Sequence, residues 1–133
     1  MEQSIYKYDV AFSFLKEDEA IATHLNDLLR HRFRTFLYSE KQKDLAGRDG
    51  EKLFNTVFQK ESRTVIVLFR ENWGKTPWTR IEETAIRNRI YDAGYKFVTF
   101  ISLDESVRMP EWMPKVRLYV DLRDMESKPP LQL

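Results

Sequence analysis

Two adjacent carboxylates, Glu82 and Glu83, follow a tryptophan in the stretch PWTRIEETAIRNR (77–89). Adjacent residues on a helix point about 100° apart, so the two cannot share one task. With Ile81 as origin, Ile81, Ala85, Trp78, Ala93 and Ile86 occupy an apolar arc from about 0° to about 140°. Glu83 falls near ~200°, on the side of Arg80 and Arg87. It is an ordinary exposed acid with an i, i+4 partner worth a few tenths of a kcal/mol. Glu82 falls near ~100°, inside the apolar arc. A carboxylate there costs several kcal/mol unless it is paired or hydrated. Two readings of Glu82 follow. Arg89, at about 80° and two turns on, can pair with it; or the first turns of this helix lie at a ligand crevice, where the carboxylate stays wet and faces a ligand.

Other chemistries find little material. The chain has no cysteine, which excludes disulfides, a thiol nucleophile and thiolate metal sites. Its two histidines, His24 and His31, are seven residues apart with no clustered carboxylates, so no metal site is expected. Ser13 has no histidine partner legible in the sequence. The four glycines (47, 50, 74 and 94) form no GxGxxG turn, against a Rossmann-type dehydrogenase. A phosphoacceptor receiver domain would need an aspartate at the end of the third strand, where this chain reads VLFREN.

The elements that must position these residues alternate. YKYDVAFSF (6–14) reads as a buried strand. In the helix that follows, Ile21, Leu25, Leu28 and Leu29 make one apolar stripe. Glu17, Asp18 and Glu19 open it and Arg30, His31 and Arg32 close it, as the helix dipole favours. A short strand is expected at 34–38, then a polar loop at 39–50, long for a compact domain. A helix is expected over 51–60 with Leu53, Phe54, Val57 and Phe58 on one face, then a central strand at 63–69 covered on both sides. A loop at 70–77 leads into the helix of the two glutamates, closed by Gly94. Further strands are expected at 96–104 and 116–122. The segment 126–133, with Pro129 and Pro130, reads as a loose tail or the start of a linker, where a covering helix would be usual.

This alternation predicts one α/β domain over 1–125, with a five-stranded parallel sheet in the doubly wound order 2-1-3-4-5. Ligands of such sheets bind at the carboxyl ends of the strands, where the order reverses between strands 1 and 3. The loops after strands 1 and 3 meet there, so the helix of Glu82 starts at the expected crevice. Length and composition agree: 133 residues, 42% hydrophobic and 14% aromatic, supply one core. A net charge of +1 gives no support to a nucleic-acid surface. No stretch approaches the roughly 20 apolar residues of a membrane span. MEQSIYKYDV lacks the apolar core of a signal peptide, and a cytoplasmic location is expected.

Five stretches taken in order, YDVAFSF, FLY, LAGRDG, RTVIVLF and PWTRIEE, resemble the TIR domain family over residues 6 to about 124. The resemblance implies a flavodoxin-like three-layer fold and equates the segment 39–50 with the family's BB loop, used in self-association and in shaping the active site. Enzymatic TIR domains cleave NAD+ at the nicotinamide–ribose bond. They use a glutamate four residues after a tryptophan at the start of this helix, and Trp78 plus four is Glu82. One carboxylate can suffice, because nicotinamide leaves a cationic pyridinium as a neutral molecule and needs no general acid, unlike the leaving oxygen of an ordinary glycoside. An anion beside the ribose stabilises the developing positive charge. The resemblance further nominates Phe36 for the nicotinamide side, Lys16 as the cation after the first strand, and Leu45, Ala46, Gly47 and Trp78 around the ligand. Several relatives carry an aromatic followed by basic residues after the first strand; Phe14, Leu15 and Lys16 here lose one basic position. The implied activity is that of an NAD+ glycohydrolase giving ADP-ribose or a cyclic isomer, with NAD+ as substrate and no further cofactor, in immune or anti-phage signalling. A non-catalytic TIR scaffold acting by homotypic association is the alternative.

Overall fold

The computed structural model describes residues 5–104, 110–113 and 118–119. Four strands, β1 (Tyr8–Ser13), β2 (Thr35–Phe36), β3 (Ser62–Phe69) and β4 (Val98–Ser102), form a parallel sheet in the order 2-1-3-4. Three helices cover it: α1 (Glu19–Leu29), entered through a single 3₁₀ turn at Lys16–Asp18, α2 (Glu40–Thr56) and α3 (Pro77–Ala93). Beyond β4 a two-residue pairing at Leu118–Tyr119 extends the sheet on that edge. It falls within the strand expected at 116–122, whose other residues lie outside the described ones. The expected tail at 126–133, and the expected lack of a covering helix, also lie outside them.

Side-chain alternation along β3 explains the layers. Val65, Val67 and Phe69 face a core shared with Phe36, Phe54, Phe58, Ala85 and Ile86, under α2 and α3. Ile66 and Leu68 face a smaller core of Phe12, Phe14, Ala22 and Leu103, under α1. The central strand is therefore covered on both sides, as its continuous apolar run predicts. Ile21, Leu25 and Leu29 of α1 pack against the smaller core on the predicted stripe.

The segment 39–50 departs from expectation. It is helical, not a loop. Ser39 and Gln42 form a capping box: Ser39 Oγ accepts from the Gln42 N–H at 3.2 Å, and the Ser39 N–H donates to Gln42 Oε1 at 2.9 Å. Two orphan donors of the first turn are thus satisfied, which starts a helix despite the polar composition. Lys43, Gly50 and Phe54 then form its buried face. Gly47 breaks the run with φ 61° and ψ −141°, a conformation that disfavours a side chain, so α2 is two helical pieces meeting at a bend. A turn of π-helix at Val57–Glu61 follows and leads into β3.

At the other side of the site, α3 starts with Pro77 in its first turn and Thr76 as N-cap, whose hydroxyl accepts from the Thr79 N–H. It ends at Gly94, with φ 81°.

Candidate functional site

Ser13, the last residue of β1, and Trp73, in the loop after β3, lie at the carboxyl ends of the two strands between which the sheet order reverses. Glu82, in the second turn of α3, meets them there. Its side chain is 0% exposed. Ser13 Oγ donates to Glu82 Oε1 at 2.8 Å, and Trp73 Nε1 donates to Ser13 Oγ at 2.9 Å. The Lys43 ammonium, brought by the first piece of α2, pairs with Glu82 Oε2. Lys43 is itself only 2% exposed, its ammonium 5.7 Å and 5.5 Å from the ring centres of Phe14 and Phe54.

Both oxygens of Glu82 thus have donors, and an acceptor-only carboxylate suits all of them. Burial pushes its carboxyl above the ordinary range, while the Lys43 ammonium and the Ser13 hydroxyl pull it back down. The arrangement is a fully buried carboxylate paired with a buried ammonium, with the Phe14 and Phe54 rings beside the ammonium. A buried carboxylate is screened by water less than an exposed one, so its charge acts more strongly on a neighbouring group.

Neither reading open for Glu82 holds as expected: the carboxylate is fully buried rather than wet, and its cation is Lys43 rather than Arg89. Arg89 turns to the opposite end of α3's buried face, where its Nη1 donates to the carbonyls of Ser62 at 2.6 Å and Phe58 at 3.3 Å. Its guanidinium lies 4.0 Å from the centre of the Phe97 ring. Two turns of helix place residues 82 and 89 on similar bearings but about 10 Å apart along the axis. Arg89 instead serves the carbonyls of the π-helical turn and of the first residue of β3. Glu83 faces Arg87 as its angle predicts, Nη1 to Oε1 at 3.6 Å, but it is more covered than an ordinary exposed acid: its side chain is 23% exposed, and burial pushes its carboxyl above the ordinary range.

No family model matches the chain, and no curated protein matches it. Among solved structures it matches a chain described as the TIR domains of the activated Roq1 resistosome directly recognising the pathogen effector XopQ. That neighbour is a TIR-domain chain. Identity is 22% over 74% of this chain, with a TM-score of 0.47. This chain spans 58% of that TIR-domain chain's length.

The residues nominated by resemblance to TIR domains are not all at Glu82. Trp78 is partly buried and ties α3 to α2: its Nε1 donates to Asp44 Oδ1 at 2.6 Å, and its ring stands edge-on to Phe54 at 5.6 Å. Leu45, Ala46 and Gly47 lie on the exposed side of α2 around the bend, with Leu45 81% exposed. Lys16 is exposed in the turn after β1. Phe36 is buried between Tyr8, Tyr38, Phe54 and Phe58, with ring-centre distances of 5.1, 4.7, 5.5 and 6.1 Å. The two residues that bond Glu82, Ser13 and Lys43, and Trp73, which bonds Ser13, were not nominated. Ser13 and Glu82 are 69 residues apart in the chain, and only the assembled sheet joins them. Lys43 had a local signal, the S-x-x-Q capping box of SEKQ (39–42), which places it on a helix rather than in a loop.

Proposed function

We propose that this chain is a TIR domain that cleaves the nicotinamide–ribose bond of NAD+, with Glu82 as the carboxylate that faces the ribose. The observation that carries the reading is the state of Glu82. A fully buried anion at the switch point, four residues after Trp78, holds donors on both oxygens and has a lysine where a cationic ligand would sit. On cleavage, the pyridinium takes the bonding electron pair and leaves as neutral nicotinamide, and the ribose carries the developing positive charge. Glu82 stabilises that charge and holds the ribose hydroxyls. Water, or the adenine of the same molecule, then attacks, giving ADP-ribose or a cyclic isomer.

Entry of NAD+ requires Lys43 to withdraw, since it covers Glu82 on the α2 side. The bend at Gly47 lets the first piece of α2 move with Lys43, Asp44 and Leu45 while Phe54 stays in the core. In the open site, Lys16 at the rim meets the phosphates, and Leu45, Ala46, Gly47 and Trp78 border the substrate, with Phe36 behind them on the nicotinamide side. Homotypic association through the segment 39–50 supplies the displacement, which fits a cytoplasmic role in immune or anti-phage signalling.

A second reading is a non-catalytic TIR scaffold. The completeness of the Lys43–Glu82 pair favours it, because a structural ion pair would look the same. The two readings separate in one assay of NAD+ consumption and nicotinamide release, with the domain concentrated on a crowding surface. Turnover by the wild type and by Glu83→Ala, lost in Glu82→Gln, supports the glycohydrolase. Equal silence of all three establishes the scaffold.

A further inference from the structure

The Lys43 side of Glu82 is held by an element with a bend in it, whereas the other side is built into the sheet. Ser13 ends β1 and is paired in register with Val67 of β3. It is fully buried on the α2–α3 face, where a hydroxyl among Phe and Val side chains needs partners. Trp73 is buried against Phe69 and Phe100, at ring-centre distances of 6.2 and 6.3 Å. Neither residue depends on α2 for its place.

From this geometry, and resting on the reading of Glu82 given above, we infer that Ser13 is the positioning residue of Glu82 and that Trp73 fixes the direction of its hydroxyl proton. An indole N–H can only donate. Trp73 therefore occupies a lone pair of Ser13 Oγ, and the single hydroxyl proton is turned to Glu82 Oε1. The chain of donors runs one way, from Trp73 through Ser13 to Glu82. When Lys43 leaves, Oε1 stays held and Oε2 alone is freed, so the carboxylate keeps its plane and presents one oxygen to the vacated space. A carboxylate held at both ends only by α2 would lose its aim each time the site opened; this one does not.

The test compares Ser13→Ala and Trp73→Phe with the wild type in the concentrated NAD+ assay. Ser13→Ala is expected to lower kcat roughly 10- to 100-fold with KM within about twofold, the signature of lost aim rather than lost binding. It also moves the acid limb of the kcat/KM profile to higher pH, because Glu82 loses a donor to its charged form. Lys43 and Glu40, both from α2, are the charged groups acting on Glu82. β1 contributes Ser13 and the loop after β3 contributes Trp73, neither of which titrates in that range, and Glu83 on α3 faces Arg87. Trp73→Phe keeps the ring packing, frees the hydroxyl, and is expected to give a smaller change of the same kind. A Ser13→Ala enzyme with the wild-type kcat and acid limb overturns the inference while leaving the glycohydrolase reading intact. The titration of the Glu82 carboxyl carbon, by ¹³C NMR on glutamate-labelled protein assigned with Glu82→Gln, needs no turnover. A midpoint raised in folded Ser13→Ala, or in Trp73→Phe should the alanine variant not fold, supports the positioning role, and an unmoved midpoint refutes it. If no variant and no wild type releases nicotinamide, the functional reading has failed and the NMR titration alone decides the positioning.

Discussion

Replacing Lys43 by methionine isolates the charge of the buried pair, because the methionine stem can still pack on Phe14 and Phe54 as the lysine stem does. Glu82 is then left with two outcomes. Staying ionised without its partner costs about 3–5 kcal/mol, the range for breaking buried pairs. Taking up a proton is the other route. For a carboxyl with an ordinary pKa of 4.5, holding that proton at pH 7, about 2.5 pH units higher, costs about 1.36 kcal/mol per unit, roughly 3.4 kcal/mol. The cheaper route sets the loss, so Lys43→Met should lose no more than about 3.4 kcal/mol at pH 7 through this charge. That is roughly 10–15 °C in Tm for a chain of this size. The sign of the pH dependence follows. The folded variant keeps the Glu82 proton to higher pH than the unfolded chain does, so above about pH 4.5 the unfolded state binds fewer protons and stability falls as pH rises. The deficit of Lys43→Met is therefore small near pH 4.5 and grows toward pH 7. Urea unfolding of wild type, Lys43→Met, Glu82→Gln and the double variant measures it. The double variant buries no charge, and the amide oxygen it carries in place of the carboxylate still accepts from Ser13, so it should recover most of the loss. A coupling below about 0.5 kcal/mol between the two substitutions would refute the claim that Lys43 and Glu82 compensate one another.

Three further outcomes are expected. Glu83→Ala should cost only about 0.2–0.5 kcal/mol by chemical denaturation, the worth of an i, i+4 pair with the exposed Arg87. Gly74→Ala should cost about 1–3 kcal/mol, because Gly74 sits at φ 86° and a Cβ there would also fall on Glu83 Oε2. The carboxylate end can swing away and the backbone cannot, so Gly74→Ala combined with Glu83→Ala should recover little of the loss by thermal melting. Arg89→Met should cost about 2–4 kcal/mol by leaving the Ser62 and Phe58 carbonyls short of a donor, and its effect should add to that of Glu82→Gln within about 0.5 kcal/mol.

The order of elements and the doubly covered central strand were legible because each rests on local periodicity and on a topological rule. Glu82 was legible for the same reason: a helical wheel needs only its own helix. What Glu82 pairs with was not, since the wheel gives a bearing but no height along the axis, and Arg89 and Lys43 differ in reach rather than in charge. The helix at 39–50 is hidden by composition, in which two glycines and seven charged or amide side chains outweigh a four-residue signal. SEKQ starts a helix by pairing side chains with backbone at its own first turn, which composition does not register. Gly47 does bend the chain, but within a helix. Losing the helix there meant losing Lys43, which reaches Glu82 only because residues 43, 50 and 54 share one face.

The closed pair also bears on which ligands can open the site. A neutral molecule that displaced Lys43 would leave Glu82 buried without compensation, at the cost already worked for Lys43→Met. Water entering with the ligand would lower that cost, but would also screen the anion and weaken what it can do for a developing charge. A ligand that brings its own positive charge avoids both penalties, exchanging one cation for another at Oε2. NAD+ carries such a charge on its pyridinium, and as the glycosidic bond breaks the charge moves to the ribose. Reduced NADH has the same shape with no pyridinium charge. Its competition against NAD+ should therefore be at least about tenfold weaker than that of a charged, unreactive analogue of the same size, since about 1.4 kcal/mol of charge compensation suffices for that factor. Equal competition by the two would mean that the oxygen vacated by Lys43 is met by water rather than by the ligand, and that the lysine is a lid with no bearing on selectivity.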